Sequence, residues 1–137
     1  MGQNQLLLII LGMIIIGVMI TVAIILMQEN AVTANRDAVA SDLLVLAAKG
    51  KQYYNTPASN GGGGHSFSGL TADASGMSKL ASAGLSANGN GNYTIITPGT
   101  SSGVVFQGIG NVATSNGSWP TLTCSVTASG NTIAIVN

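Results

Sequence analysis

From Leu6 to Met27 the chain reads LLLIILGMIIIGVMITVAIILM, a run with no charged residue, in which Thr21 is the only polar side chain. As a helix rising ~1.5 Å per residue it extends roughly 30 Å, enough to cross the hydrocarbon core of a bilayer. A water-soluble domain built from the rest of a 137-residue chain cannot cover a helix that is apolar on every side. The run therefore faces lipid or further copies of itself.

Two simpler explanations compete. A cleaved signal peptide has a positive n-region and an apolar stretch of ~7–15 residues. Here MGQNQ carries no positive charge and the run is longer, so removal is disfavoured, although small residues at Val32 and Ala34 would suit a cleavage site. A single-pass membrane anchor fits the length. Its orientation is unreadable, because no Lys or Arg precedes the run while Glu29, Asp37 and Asp42 alternate with Arg36, Lys49 and Lys51 after it.

The helical pattern continues past the apolar run. No Gly or Pro interrupts the chain between Met27 and Gly50, and the stretch is rich in Ala and Leu. Val32, Val39, Leu43, Leu46, Gly50 and Tyr53 recur at helical spacing on one stripe, with Asp37, Ser41 and Gln52 away from it. Asn55-Thr56-Pro57 ends the pattern, since the residue before Pro is pushed out of helical geometry. One helix to Tyr54 is predicted, apolar all round over 1–28 and amphipathic over 29–54. A membrane anchor alone has no need of that continuity.

Residues 55–91 are rich in Gly, Ser and Ala. Asn60–Ser66, NGGGGHS, reads as a flexible loop, Met77–Ala83 as a short helix, and SANGNGN as a turn cluster. Residues 92–137 carry four strand signals, Asn92–Thr97, Val104–Gly108, Thr121–Ala128 and Thr132–Val136. In the third, Leu122, Cys124 and Val126 alternate with hydroxyl residues, the mark of a half-buried strand. A turn at Ser129-Gly130 would place Val126 opposite Ile133 and Cys124 opposite Ile135. Val39, Leu43, Leu46 and Tyr53 are expected to pack on Leu122, Cys124, Val126, Ile133 and Ile135. The expected class is α+β, a long N-terminal helix on a small antiparallel meander.

This layout resembles the type IV pilins, most closely at the start, where a few polar residues precede an unbroken apolar run containing Gly12 and Gly17. The whole chain also resembles short bacterial pilin-like proteins that begin M-G-Q-x-Q-L-L-L-I. Their Q-Y-Y, Pro, Gly-run and Ser-Phe elements correspond to Gln52-Tyr53-Tyr54, Pro57, Gly61–Gly64 and Ser66-Phe67. The resemblance implies a homo-oligomeric helical filament at the cell surface, inserted in the inner membrane before assembly and handled by a pilus assembly machinery. It implies a core packed through Leu6, Leu7, Ile10, Gly12, Ile14, Gly17, Ile20 and Ala23, small residues allowing close helix contact. Two positions depart from the pattern. Pilins carry Glu at the fifth mature position, where this chain has the uncharged Gln5 as N-terminal polar contact, or Leu7 if cleavage follows Gly2. Val22 stands where a Pro is common, leaving Gly12 and Gly17 as the places where the helix would loosen.

Little else suggests chemistry. Only 6% of residues are charged, against roughly 25% in ordinary domains, and the net charge is zero, so nucleic acid has no basic footprint to bind. Cys124 is the only cysteine and His65 the only histidine, which leaves no intrachain disulfide, no metal-ligand set and no nucleophile–base pair. Gly61–Gly64 lacks the Lys-Ser/Thr of a phosphate loop. No cofactor and no enzymatic activity are expected. Asn92-Tyr93-Thr94 and Asn116-Gly117-Ser118 match the N-glycosylation pattern. Three functions remain: a filament subunit, an anchored monomeric domain, or a pseudopilin of a secretion or uptake system.

Overall fold

The computed structural model describes residues 2–80 and 83–137. Its dominant element is α1, Gly2–Asn55, a 54-residue helix about 80 Å long that runs unbroken through Gly12, Gly17 and Val22. A 3-10 turn (Ala58–Asn60), α2 (Ala74–Leu80) and the short α3 (Ala83–Ser86) follow. Four strands complete the chain, β1 (Gly91–Thr97), β2 (Gly103–Gly110), β3 (Thr121–Thr127) and β4 (Asn131–Ile135), forming one antiparallel meander in sequence order. The arrangement is α+β, a long N-terminal helix packed on a small four-stranded sheet.

The second half of α1 crosses the inner face of the sheet over β2 and β3. Val32, Val39, Leu43, Leu46, Ala47 and Gly50 are buried, and Tyr53 is half-buried against the same core. The Gly108 backbone lies close under the Val39 and Tyr93 side chains. A Cβ on Gly108 would lie 2.7 Å from Val39 and 3.0 Å from Tyr93, so only glycine admits the helix there. Opposite the helix, Tyr93, Ile95, Val104, Phe106, Leu122, Cys124 and Val126 supply the sheet side of the core. Their polar neighbours in β3 alternate outward, as period-two patterning requires.

Several expectations need correction. The β3–β4 turn lies one residue earlier, centred on Ala128-Ser129. The Thr127 side chain closes it, accepting from Gly130 N–H (3.2 Å) and donating to Gly130 C=O (3.0 Å). Cys124 therefore faces Ile133 and Leu122 faces Ile135, while Val126 faces Asn131. Pairing moves by two residues, which keeps every side chain on its expected face. Ile135, expected to pack under the helix, is instead 64% exposed, because β4 is the edge strand and α1 lies over β2 and β3.

The glycine run is not a loose linker. Gly63 N–H donates to Tyr53 C=O (2.8 Å), Gly64 N–H to Thr56 C=O (2.9 Å) and His65 N–H to Tyr54 C=O (2.8 Å). These bonds satisfy carbonyls that a helix end leaves unpaired. A side chain on Gly63 would collide with the Ser66 carbonyl, so close approach explains the glycine. His65, at φ 66°, sits edge-on to Tyr54, whose ring stacks on Phe67 with centroids 4.8 Å apart.

Residues 55–91 also contribute core. Phe67, Leu70, Met77 and Leu80 are buried with the helix stripe, although their irregular spacing resembles a loop. The predicted Met77–Ala83 helix overlaps α2, which starts earlier at Ala74; positions 81 and 82 of that prediction lie outside the described residues. Asp73 caps α2, its Oδ1 accepting from Gly76 N–H (3.0 Å) and from the Ser75 and Thr71 hydroxyls (each 2.6 Å).

Replacing Leu43, which is fully buried, with Ala should lower stability by about 2–5 kcal/mol through lost burial and a residual cavity. Leu44→Ala, at an exposed neighbour, should change it by less than about 0.5 kcal/mol. Denaturant titration of the detergent-solubilised chain checks both; equal effects would contradict this helix orientation.

Candidate assembly surface

Among the described residues nothing covers the apolar half of α1. Every large side chain from Leu6 to Met27 is exposed, and a Cβ placed on Gly12 or Gly17 would meet no atom within 4 Å. The helix is long and apolar enough to cross a membrane. Each Leu, Ile, Val or Met fully removed from water contributes about 1.5–3 kcal/mol. No single polar contact elsewhere in the molecule matches the sum over this surface.

Leu6, Leu7, Ile10, Gly12, Ile14, Gly17, Ile20 and Ala23 all lie on this rod but not on one stripe. Gly12 and Gly17 are five residues apart, about 140° around the helix, so they open different sides. Gly12 and Ala23, eleven residues apart, return to nearly the same side. Thr21 satisfies its hydroxyl within the helix, donating to Gly17 C=O at 3.0 Å. Gln5 is exposed at the rod's start.

A polar clamp fixes the rod's direction relative to the head. Asp42 Oδ2 accepts hydrogen bonds from Tyr93 Oη (2.6 Å), Asn88 Nδ2 (2.8 Å) and Asn90 Nδ2 (2.9 Å). One helical stretch below, the buried Asn35 donates to Asn90 C=O (2.8 Å) and accepts from Val112 N–H (3.4 Å). The turn cluster before β1 is thus held by the helix at two heights. Burial alone would raise the Asp42 carboxyl, but the bonds from Tyr93, Asn90 and Asn88 outweigh it and hold the pKa below its ordinary value. Burial, then the bond to Asp42 and its charge, push the Tyr93 phenol far up, so it stays a donor.

Neither Asp42 nor Asn35 was expected to matter. The signal was present in spacing: Asn35 lies three residues after Val32 and four before Val39, on the stripe, and Asp42 flanks it three residues after Val39.

The other predicted positions are scattered. Val39, Leu43, Leu46, Leu122, Cys124 and Val126 are buried together, with Tyr53 and Ile133 at the core's margin. Burial raises the Cys124 thiol, which suits a packing residue. Asn92 is exposed on β1, and Asn116 in a loop closed by bonds between Thr114 and Ser118. Among the described residues no three His, Cys, Asp or Glu side chains converge on a metal position. A polar cleft of about 380 Å³ is lined by Glu29, Arg36 and the 114–118 loop; the Arg36 Nε itself is buried and has no hydrogen-bond partner.

Because the folded Asp42 carboxyl lies below its unfolded value, the folded state binds fewer protons, and stability rises with pH through that interval. Its contribution is complete above the unfolded pKa and lost as pH falls through the folded one. Asp42→Ala should cost about 1.5–3 kcal/mol at neutral pH, the scale of a hydrogen bond to a charged group. Asp42→Asn should flatten the stability curve below about pH 4, leaving the share of Asp73, whose carboxyl is also held low by Ser75, Thr71 and Gly76. Unfolding titrations across pH 2–7 check both; an unchanged acid slope in Asp42→Asn would remove the clamp from the account.

Comparison with protein-family models, curated proteins and solved structures returns no match.

Proposed function

We propose that this chain is the structural subunit of a helical, extracellular pilus-like filament, polymerising through the apolar half of α1. One observation carries the reading: a single unbroken helix is uncovered over its apolar first half and forms the core of the head over its second. A filament uses both halves, burying the rods in a shared centre and displaying the heads outside. The pilin resemblance of the N-terminal run and of the Gln52–Phe67 region supports the same assignment.

Growth is by a heterologous contact repeated along a helical path, which never closes. Each rod has neighbours on several sides, which accounts for small residues pointing in different directions. Gly12 and Ala23 admit one neighbour and Gly17 another. Before assembly the rod resides in a membrane, where its length matches the hydrocarbon core. The assembly machinery of the type IV pilins is the partner class that would extract it. Asn92 and Asn116 are both exposed and would point to the filament exterior as carriers of glycan.

The competing reading, a monomeric membrane-anchored domain, draws on the same rod length. A pseudopilin shares the fold and assembles only briefly. Electron microscopy of material sheared from cells separates them: long fibres containing the subunit are expected, and their absence, with the chain recovered as detergent-extracted monomers, would favour the anchor. Gly12→Leu and Gly17→Leu should each reduce fibre yield, because a γ-branched side chain holds the backbones apart. Undiminished yield in both would count against close packing at these positions.

A further inference from the structure

The two margins of the sheet are unequally protected. β1 is one edge strand, and its outward side is occupied. Asn88 N–H donates to Gly91 C=O at 3.0 Å, Ala87 pairs with Asn92, and α2 and α3 pack alongside. Its pairing with β2 is also interrupted between Ile95 and Thr97. β4 is the other edge, paired only with β3. Apart from the half-buried Ile133, every residue from Asn131 to Asn137 is exposed.

The hydrogen-bond phase of β4 is fixed at both ends. Thr127 N–H donates to Gly130 C=O at the turn, and Val136 N–H donates to Thr121 C=O, both at 2.8 Å. Bonded pairs alternate along an antiparallel ladder, so Thr132, Ala134 and Val136 direct their backbone groups to β3. Asn131, Ile133 and Ile135 direct theirs outward, and among the described residues no backbone group reaches them. Edge strands commonly carry a charge, a proline or a bulge that blocks further pairing. β4 has none of these: its register with β3 is regular, and no charged residue follows Lys79.

We propose that the β4 edge pairs with β4 of a second copy of this chain, antiparallel about a two-fold axis between the two Ala134 residues. In that register Ile133 of each copy faces Ile135 of the other through outward backbone groups. Apolar side chains then meet on the inner face, extending the core past its margin and covering Ile135. A register centred on Ile133 would set each Ile135 against Asn131 instead. Charge selects the occupant as well. Two copies bring no like charges together, whereas a charged peptide finds no countercharge on β4.

An axis normal to the sheet keeps α1 on the same face in both copies and reverses its direction. Paired rods therefore point opposite ways. Subunits of one polar filament cannot be related so, and the contact joins heads of two filaments lying antiparallel. The inference goes beyond the filament reading, since it holds for heads on any two rods.

Disulfide trapping of the full chain, in enough detergent to leave one rod per micelle, tests the pairing. Position 134 forms a non-bonded pair across the axis, where Cα atoms stand about 4.5 Å apart, within disulfide reach. Ala134→Cys is expected to convert to dimer under mild oxidation. Thr94→Cys, exposed on the same outer face near the opposite edge, is expected to stay monomeric, as is the parent chain with its buried Cys124. Adding Ile135→Lys to Ala134→Cys changes an exposed side chain, places two cations beside the axis, and should abolish the dimer with circular dichroism unaltered. Equal dimer from positions 94 and 134, or a dimer that Ile135→Lys leaves intact, overturns the pairing. So does the absence of dimer from a folded Ala134→Cys chain. Stronger trapping at Thr132→Cys than at Ala134→Cys overturns it too, because it moves the axis off Ala134.

Discussion

One helix must satisfy two incompatible surroundings without a break between them. From Leu6 to Met27 it offers water hydrocarbon on every side, with Thr21 the only polar side chain; beyond Asn30 it keeps a wet side and a buried side. No proline, and no glycine before Gly50, separates these regimes after Gly17, so the backbone transmits direction from one to the other. The position of every other element follows from where the buried stripe begins. The sheet can be covered only by residues from Val32 onward, and its end nearest the rod is therefore set by Asn35 against Gly110.

The joint between rod and head has two kinds of support, of different size. Burial of the Val39, Leu43 and Leu46 side chains supplies about 1.5–3 kcal/mol each and holds the helix on the sheet. Apolar contact has little directional preference, and a smooth stripe alone permits rotation and sliding. The Asp42 and Asn35 bonds add less energy but specify the rotation, because an acceptor withdrawn from Tyr93, Asn88 and Asn90 would leave three donors unsatisfied. At the far end the Gly63–His65 amides cap the helix and draw Phe67 into the core.

The helix was the most legible element. Seven-, four- and three-residue steps from Val32 to Tyr53 select the buried stripe, and alternation in Leu122–Val126 marks the strand beneath it. Less was readable where a single atom decides the outcome. The hairpin register turned on the Thr127 hydroxyl, which closes the turn one residue before the Ser-Gly pair that propensity favours. Ile135 has the correct face but the wrong strand for burial, since alternation does not report which strand lies at an edge. Glycines 61–64 signal freedom by composition, yet Gly62 and Gly63 are held by close approach to Thr56, Tyr53 and Ser66, Gly61 and Gly64 take positive φ, and the Gly63 and Gly64 amides cap the helix end. What covers the rod leaves the weakest trace, because uniform Leu and Ile mark an apolar surround without marking a direction.

The central claim is that the Leu6–Met27 surface is buried by copies of the same chain. Analytical ultracentrifugation of the full-length chain, exchanged from detergent into plain buffer and followed by electron microscopy, tests it most directly. Large species with regular fibre order are predicted. A monodisperse monomer in buffer, free of lipid and detergent, would contradict the account.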